Sequence, residues 1–283
     1  MKKETYSFPI EKMAKVLRVS VSGYYAYIKR APSRRNLEDE KLLIAIKKVY
    51  QKGRSMYGSP KIHAKLKEEG NLCSKKRVAK LMKKNGIAAQ IRKSWKKTTK
   101  QGKRKASDNL LNQEFTAEAP NQKWVSDITY VKTKEGWLYV SCTIDLFSRK
   151  VVGLSMGKHL TVDLVERSLN QALRRRKACE GLIHHSDRGC QYTSEVFEKL
   201  AQKHGIKLSM SGKGNCYDNA VAESFFHTLK TEHVYHNKFC CREEAKSSIF
   251  EYIEVFYNRQ RAHSFLGYLS PEEYERNWNK QSA

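Results

Sequence analysis

Three apolar segments decide the fold of this 283-residue chain: KWVSDITYVKT at residues 123–133, GWLYVSCTIDLFS at 136–148 and KVVGLSMGKH at 150–159. Each is rich in β-branched and aromatic residues, which favour strands over helices. Gly136 separates the first two segments, and a turn at Ser148–Lys150 follows the second. Connections this short join neighbouring antiparallel strands, so the three segments predict a meander.

Helical and strand patterns alternate after the third segment. Two short apolar stretches, GLIHHSDRG at 181–189 and IKLSMS at 206–211, have the length of buried strands. Apolar residues recur at helical spacing in four further stretches, at residues 161–176, 193–205, 219–235 and 242–261. The order β-β-β-α-β-α-β-α-α predicts an α/β domain over residues 120–275, with a mixed five-stranded sheet and helices on its faces. Residues 276–283 are assigned to a tail.

Only helices are predicted upstream of residue 92. Residues 7–30 have the outline of helix, tight turn and helix, so residues 1–35 are assigned to a helix-turn-helix-like segment. A plain helical hairpin is the alternative. Residues 36–91 predict a second helical unit that binds DNA, with three residues placed as N-caps, Asn36, Ser59 and Ser74.

The last helix of this unit begins with three basic residues, Lys75, Lys76 and Arg77. The start of a recognition helix is where such a unit meets DNA, so these three side chains are candidate DNA contacts. A solvated basic face is the alternative for each of them.

Charge is distributed unevenly along the chain. Lys plus Arg number 55 against 29 Asp plus Glu, a net charge of +26, and residues 1–106 hold 31 of the basic and 7 of the acidic side chains. Residues 92–107 contain eight basic residues and no acid. Residues 92–119 are therefore assigned to a basic linker, in which Lys96 and Lys97 are candidate DNA contacts. An excess of this size indicates a polyanionic partner, and DNA is favoured.

A membrane surface is the other common polyanion. The sequence has no run of 18 apolar residues and no export signal. Seven cysteines, an odd number without a CxxC pair, indicate neither a disulfide framework nor a zinc ribbon. We therefore expect a cytoplasmic protein that associates with the nucleoid when it is bound to DNA.

Three acids of the second half stand in largely apolar surroundings. Asp127 lies inside the first predicted strand, Asp187 ends the fourth, and Glu223 lies on a helix between Ala222 and Phe225. A buried carboxylate is costly unless something compensates its charge, and a divalent cation bound by all three acids would do so. A solvated or salt-bridged acid is the alternative for each. A further acid near a strand end, Asp145, is ranked as structural.

Carboxylates from three separate elements suit a pair of metal ions that perform phosphodiester chemistry. Two Mg²⁺ ions about 4 Å apart activate the nucleophile and stabilise the leaving oxygen. The sequence therefore predicts Asp127, Asp187 and Glu223 as metal ligands and as the catalytic residues.

The spacing of the acids resembles the DD(35)E pattern of retroviral integrases and insertion-sequence transposases, with 35 residues between Asp187 and Glu223. WVSDITYV at 124–131, HHSDRGCQYTS at 184–194 and SMSGKGNCYDNAVAESFFHTLKTE at 209–232 resemble the catalytic blocks of the insertion-sequence-3 family, and YNRQRAHSFLGYLSPEEY at 257–274 its C-terminal block. The resemblance covers roughly residues 36–275. The starting Met and the absence of a heptad zipper resemble the family's second reading frame, OrfB.

This resemblance implies an RNase H-like fold, Mg²⁺ or Mn²⁺ as the cofactor, and DNA cleavage followed by strand transfer. It implies partners as well: transposon-end and target DNA, a homodimer or larger synaptic assembly, and the upstream-frame protein OrfA. It also implies that Lys230 contacts transposon-end DNA. Residues 223, 227 and 230 share one helix face, which agrees with that role and makes His227 a weaker candidate.

The loop before the Glu223 helix adds further candidates. Gly212 permits close backbone approach, Lys213 can reach a phosphate, Tyr217 can stack on a base, and Asn219 can contact DNA or cap the helix. A flexible surface loop is the alternative. In the C-terminal block, three polar residues could bind DNA or pin the helix to the sheet: Asn258, Arg259 and Arg261.

Two rival functions remain open at this point. One is a catalytically silent DNA-binding regulator of transposition, for which the N-terminal helices would suffice. The other is a nuclease of the same fold, such as a junction resolvase, which hydrolyses DNA without joining strands.

Overall fold

Five strands form one mixed sheet in the computed structural model, which describes residues 8–91, 107–176, 180–212 and 216–281, without the side chains of Cys216 and Tyr217. The strands are β1 (Lys123–Thr133), β2 (Gly136–Asp145), β3 (Val151–Gly157), β4 (Ile183–Ser186) and β5 (Lys207–Met210). Their order across the sheet is β3-β2-β1-β4-β5.

The sheet combines the predicted meander with two parallel strands. β1 pairs antiparallel with β2 along its whole length, and β2 pairs antiparallel with β3. β4 and β5 run parallel to β1, but β4 pairs with β1 only over residues 123–125. This topology confirms the predicted RNase H-like α/β fold, and it leaves one edge of β1 uncovered by strand pairing beyond Val125.

Helices cover both faces of the sheet. Helices α6 (Val162–Arg175) and α7 (Glu195–Lys203) enclose a cluster with Trp124 and Phe197 on one face. Gly153 of β3 permits this packing, because a Cβ atom built there would lie 2.2 Å from the backbone oxygen of Ser168 in α6. Helix α8 (Ala220–Glu232), helix α9 (Arg242–Phe250) and the π-helical segment Glu251–Tyr257 pack on the other cluster.

Five helices precede the sheet: α1 (Ile10–Val16), α2 (Val21–Lys29), α3 (Arg34–Lys52), α4 (Ser59–Glu68) and α5 (Lys75–Lys84). The predicted helix, turn and helix over residues 7–30 appear as α1 and α2. Ser74 caps α5, since its hydroxyl accepts from the Arg77 amide at 3.2 Å.

Two of the predicted caps were wrong. Helix α3 starts before Asn36, because the Ser33 hydroxyl accepts from the Asn36 amide at 3.2 Å and caps the helix there. Ser59 is the first residue of α4 rather than its cap, and Gly58 holds the cap position. In both helices the chain enters the helix earlier than the composition alone indicates.

Helices α3–α5, the helical unit of residues 36–91, dock directly on the sheet domain. The buried Tyr57 hydroxyl accepts from the Ala262 amide at 2.8 Å and donates to the Gln260 carbonyl at 3.3 Å. Arg54 pairs with Glu251 and lies over the Phe256 ring, 4.5 Å from its centroid. One apolar cluster runs through the helical unit and the sheet domain.

Part of the sequence-assigned linker packs on the sheet domain. Leu111 is fully buried, and the Ser209 hydroxyl of β5 accepts from the amides of Leu110 and Leu111 at 2.9 and 3.1 Å. Residues 92–106, which include Lys96 and Lys97, lie outside the described residues.

The helix predicted over residues 242–261 differs in form and length. It is α-helical to Phe250 and π-helical to Tyr257, and helix α10 (Pro271–Gln281) follows after a short 3₁₀ turn. It ends near Asn258, whose side chain hydrogen-bonds to both the amide and the carbonyl of Val151 at 3.0 Å. Among the residues that the structure describes, no helix is long and apolar enough to cross a membrane.

Candidate active site

Asp127 and Asp187 meet where β1 and β4 diverge. Lys123, Trp124 and Val125 pair with Ile183, His184 and His185, a constant offset of sixty residues. If the same offset is extended by two residues, Asp127 lies opposite Asp187. The 59-residue spacing between the two acids is thus the register of the parallel strand pair.

Glu223 joins them from helix α8, which runs beside the free edge of β1. Asn219, just before the helix, is buried, and its side-chain amide donates to the Ser126 carbonyl at 3.1 Å. Asn219 holds the N-cap position of α8, as expected, but its side chain makes no capping hydrogen bond to the helix. It instead fixes the start of the helix to the strand residue that precedes Asp127.

The loop after β4 shapes the surroundings of Asp187. The Gly189 amide donates to Asp187 Oδ1 at 2.9 Å, and a Cβ atom at Gly189 would lie 2.9 Å from that same oxygen. Only a glycine therefore leaves this carboxylate undisturbed. Sequence reasoning did not single out Gly189, although its place two residues after an acid at a strand end was visible.

Burial is the main reason that the pKa values of the two aspartates are raised. Burial first, and then the charges of Asp187 and Glu223, raise the pKa of Asp127 to about 8. Burial also raises the pKa of Asp187, against the hydrogen bond from the Gly189 amide. The site therefore concentrates negative charge that a cation would relieve.

The donor set fits a hard divalent cation. Carboxylate oxygens are the ligands that Mg²⁺ takes, and Mg²⁺ needs few of them because it retains water and binds substrate phosphate. Within the described part of the chain, no group of three or more His, Cys, Asp or Glu side chains is arranged so that it could already hold an ion. The three carboxylates thus suit Mg²⁺ by the type of donor atom and by their charge.

Asp145 is held by the backbone at the end of β2. Its carboxylate is fully buried and accepts from the amides of Asn121 and Phe147, both at 2.9 Å. Burial raises its pKa to about 6. These contacts agree with its ranking as a structural acid.

Lys230 extends from α8 toward the same edge of β1. Its ammonium lies 5.0 Å from the centre of the Tyr130 ring, and burial lowers its pKa while Tyr130 and Asp127 oppose that shift. His227 is exposed on the same helix face. The Lys230 side chain thus places a cation about two helical turns from Glu223.

Asp218 was not recognised from the sequence. Its buried carboxylate accepts from the Gly212 amide at 2.7 Å, from Gln113 at 2.8 Å and from Asn109 at 3.0 Å. Its pKa is lowered, because these hydrogen bonds outweigh burial. Asp218 thereby joins both ends of the loop before α8 to the segment that precedes the sheet.

The other candidate DNA contacts belong to helix α5 or fall outside the described residues. Lys75 and Lys76 are exposed at the start of α5, whereas Arg77 pairs with Asp39 at 2.7 Å and Glu38 at 3.3 Å. Lys213 and the side chain of Tyr217 lie outside the described residues, as do Lys96 and Lys97. The charges of Asp187, Glu223 and Lys230 all act on Asp127, although the described acids form no group that is already arranged to hold an ion.

The C-terminal block pins helices to the sheet domain. Arg261 is buried and donates two hydrogen bonds of 2.7 Å to Glu232 at the end of α8. Asn258 is held by Val151, as described above, and Arg259 is exposed near Glu272. For Asn258 and Arg261 the pinning alternative holds.

Three family models match the sequence. One, described as an HTH-like domain, matches residues 37–95, and two, described as integrase core domains, match residues 117–216 and 223–278. Together they follow the division between the helical unit and the sheet domain.

Curated relatives match nearly end to end. The uncharacterized 31 kDa protein of insertion element IS600 from Shigella sonnei is 42% identical over 272 residues, covering 96% of this chain and 100% of that protein. Transposase InsF for insertion sequence IS3A from Escherichia coli K12 is 39% identical over 278 residues, covering 97% and 96%. Among solved structures, the HTLV-2 integrase catalytic core domain in complex with magnesium is 16% identical with a TM-score of 0.44, covering 56% of this chain and 98% of that one.

Proposed function

This chain belongs to the IS3 family of insertion-sequence transposases, and we propose that it cuts its element's ends and joins them to new DNA through Asp127, Asp187 and Glu223. The observation that carries the proposal is the β1–β4 register, which sets Asp127 level with Asp187 where the strands part. The tie from Asn219 to Ser126 supports Glu223 as the third member, because it anchors α8 at the same point.

Cleavage is a hydrolysis in this proposal. The oxygen of a water molecule forms a bond to the phosphorus at the transposon end, the bond from phosphorus to the 3′-oxygen breaks, and that oxygen takes a proton. Strand transfer repeats the displacement with the freed 3′-hydroxyl as the nucleophile on a second phosphodiester. Both steps need in-line geometry and no covalent enzyme intermediate.

The three carboxylates are proposed to hold two Mg²⁺ ions, or Mn²⁺ in their place. When bound there, these ions would make the water or 3′-hydroxyl nucleophilic and would stabilise the charge on the leaving oxygen. Asp127 lies within β1 and Asp187 directly follows β4, and the Gly189 amide orients one oxygen of Asp187. Lys230 holds a phosphate of the DNA end near the acids.

DNA binding outside the active site is proposed for the helical unit and the basic linker. Lys75, Lys76 and Arg77 would contact the transposon end, with Lys96 and Lys97 on the backbone and Lys213, Tyr217 and Asn219 near the cleavage point. Arg77 must then release Glu38 or Asp39, or act through them. Two ends are processed together, so a dimer or larger assembly with transposon and target DNA is proposed, and OrfA is a further proposed partner.

Substitution of Asp187 by Asn tests the site. We expect Asp187→Asn to abolish Mg²⁺-dependent nicking and joining on a plasmid that carries the ends of the element encoding this chain, while it leaves DNA affinity intact. Asp163→Asn is the matched control, because Asp163 forms only an exposed pair with Arg167. Nicking that persists in Asp187→Asn contradicts the proposed site.

Product analysis in the same assay separates the rival functions. Joined products with the transferred 3′-end support a transposase, whereas nicks without joining indicate a nuclease that only hydrolyses. DNA binding without nicking by the unsubstituted chain indicates the silent regulator.

A further inference from the structure

Two aromatic rings and two lysines form a surface patch beside the candidate active site, which we call the hairpin patch: Tyr130 and Lys132 of β1, Trp137 of β2, and Lys230 of α8. The Tyr130 and Trp137 rings meet edge to face, with centroids 5.1 Å apart and planes at 85°. Lys132 is the cross-strand partner of Trp137 and is exposed. Lys230 lies over the Tyr130 ring.

Trp137 leaves much of its indole uncovered. Its exposed fraction is 45%, large for an aromatic residue whose strand is otherwise mostly buried. The apolar residues of β2 that follow it, Leu138 and Val140, are fully buried. Burial in the core therefore does not account for a tryptophan at this position.

The backbone around the patch is rigidly held. Arg242 of α9 donates to the Trp137 carbonyl at 3.0 Å and to the Glu135 carbonyl at 2.9 Å. The Glu135 side chain accepts from the Arg242 amide at 2.9 Å, so this nearest acid is engaged. The indole is thus presented on a fixed hairpin, which reduces the entropy lost when a ligand stacks on it.

The patch carries two positive charges. Lys132 is exposed, and the charge of Asp127 acts on Lys230. A flat aromatic face flanked by two ammonium groups suits a nucleotide, with its base on the indole and its phosphate at a lysine. One exposed ring is too small a surface for a stable protein interface.

The position of the hairpin patch and its exposed indole indicate which form of DNA it binds. Tyr130 is three residues along β1 from Asp127, about 10 Å, and the Lys132–Trp137 pair is about 17 Å away, both on the opposite face of the strand from Asp127. Lys230 connects the two faces at the open edge of β1, because it lies over the Tyr130 ring and the charge of Asp127 acts on it. Bases within a duplex stack on one another and hide their faces, so an indole can receive only an unpaired base. We propose that the hairpin patch binds an unpaired nucleotide of the DNA strand a few nucleotides from the reacting phosphate, across the open edge of β1, a proposal that rests on the proposed function.

Binding without metal tests the patch apart from the chemistry. The full chain is titrated in EDTA with a blunt duplex and with a duplex of equal length whose end carries a short unpaired overhang containing 2-aminopurine. We expect Trp137→Ala to weaken overhang binding about fivefold or more, to leave blunt-duplex binding unchanged, and to restore the quenched 2-aminopurine emission. Trp137→Phe retains a ring and is expected to keep most of the preference.

Phe250→Ala is the matched control, since Phe250 is an aromatic residue of similar exposure on α9. Thermal unfolding of each variant shows whether the fold is intact. Equal weakening of both duplexes in Trp137→Ala, or no change in either, overturns the patch. If the overhang preference depends on Trp137 while the unsubstituted chain fails to nick DNA, the patch stands and the proposed chemistry fails.

Discussion

Gly153 shows how one residue fixes the distance between a helix and the sheet. The backbone of α6 at Ser168 occupies the space that a Cβ atom on β3 would take, at 2.2 Å. The Ser168 hydroxyl in turn hydrogen-bonds to Thr143 of β2 at 3.0 Å, and Thr143 to Ser126 of β1. The close approach therefore joins α6 to three strands, including the strand that carries Asp127.

Gly153→Ala tests this close packing. The added methyl group must push backbone away from backbone, and we expect a loss of about 3 kcal/mol in the free energy of unfolding, at the upper end of the range for overpacked cores. Gly157→Ala is the control, because its Cβ atom would meet Leu164 at an ordinary 3.4 Å. Denaturant titration measures both, and equal losses would show that the contact at Ser168 yields easily.

Single residues also mark how far the sequence could be interpreted. Asp127 and Asp187 were identifiable because acids in apolar surroundings are unusual, whereas Glu223, which is exposed, was identifiable from the spacing pattern. Asp218 and Gly189 were not, since an acid in a polar loop and a glycine after an acid are common. Their importance depends on Gln113, Asn109 and the orientation of Asp187, which only the folded chain brings together.

Helix α8 is fixed at both ends by groups outside it. Asn219 holds its first turn to β1, and a buried ionic cluster holds its last residue, Glu232. That carboxylate accepts two hydrogen bonds from Arg261 and one of 2.9 Å from Tyr252, and Lys61 of α4 lies 3.8 Å away. Side-chain contacts thus set the position of the helix that carries Glu223.

Glu232→Gln is expected to destabilise the protein by about 3 kcal/mol at neutral pH, because it leaves the buried Arg261 without a negative partner. Although burial opposes it, the Arg261 hydrogen bonds lower the pKa of Glu232 below 4.5. The stabilisation is therefore complete above pH 4.5 and is lost as the pH falls through the lower folded-state pKa. The difference between wild type and variant should narrow in that acidic range.

Glu243→Gln is the control for this prediction. Glu243 pairs with Lys246 on the exposed side of α9, where removal of the charge should cost less than about 1 kcal/mol. Urea unfolding from pH 3 to 8 measures both variants. A difference that stays constant over the whole range would show that the Glu232 charge does not contribute.

The strands and helices were more predictable from the sequence than the residues at which the helices begin. Strand composition and helical spacing identified all five strands and the helices up to α9. Helix α10 (Pro271–Gln281) was missed, and the assignment of residues 276–283 to a tail was wrong, because this helix continues to Gln281. Caps at Asn36 and Ser59 were misplaced because serine, asparagine and glycine compete for the same positions, whereas Asn219 holds its predicted position without a capping hydrogen bond. The π-helical segment was also not foreseen, since its wider turn depends on packing against the sheet.

At the scale of the whole molecule, the helical unit and the sheet domain share one core. Tyr57 reaches from the helical unit to the chain at Gln260–Ala262, and Arg54 contacts the π-helical segment. The sequence indicated two domains joined by a basic linker and gave no sign of this contact, because the partners lie about two hundred residues apart.

Tyr57→Phe should loosen the contact from both sides. It leaves the buried Ala262 amide without an acceptor, at a cost of about 1–3 kcal/mol. We expect faster hydrogen exchange in residues 53–68 and also in residues 251–262. Tyr50→Phe is the control, since the Tyr50 hydroxyl bonds to Ala88 within the helical unit. Faster exchange confined to residues 53–68 would contradict a shared core.

The contact between the helical unit and the sheet domain at Tyr57 limits how chimeras of related chains can be built. A chimera that takes residues 36–91 from one parent and the remainder from another would bring together two surfaces that had never been matched. Arg54 and Lys61 would face whatever the second parent carries in place of Glu251 and Glu232. A chimera that exchanges the helices is therefore expected to remain stable only if Glu232 and the strip of residues 251–262 come from the same parent as the helices.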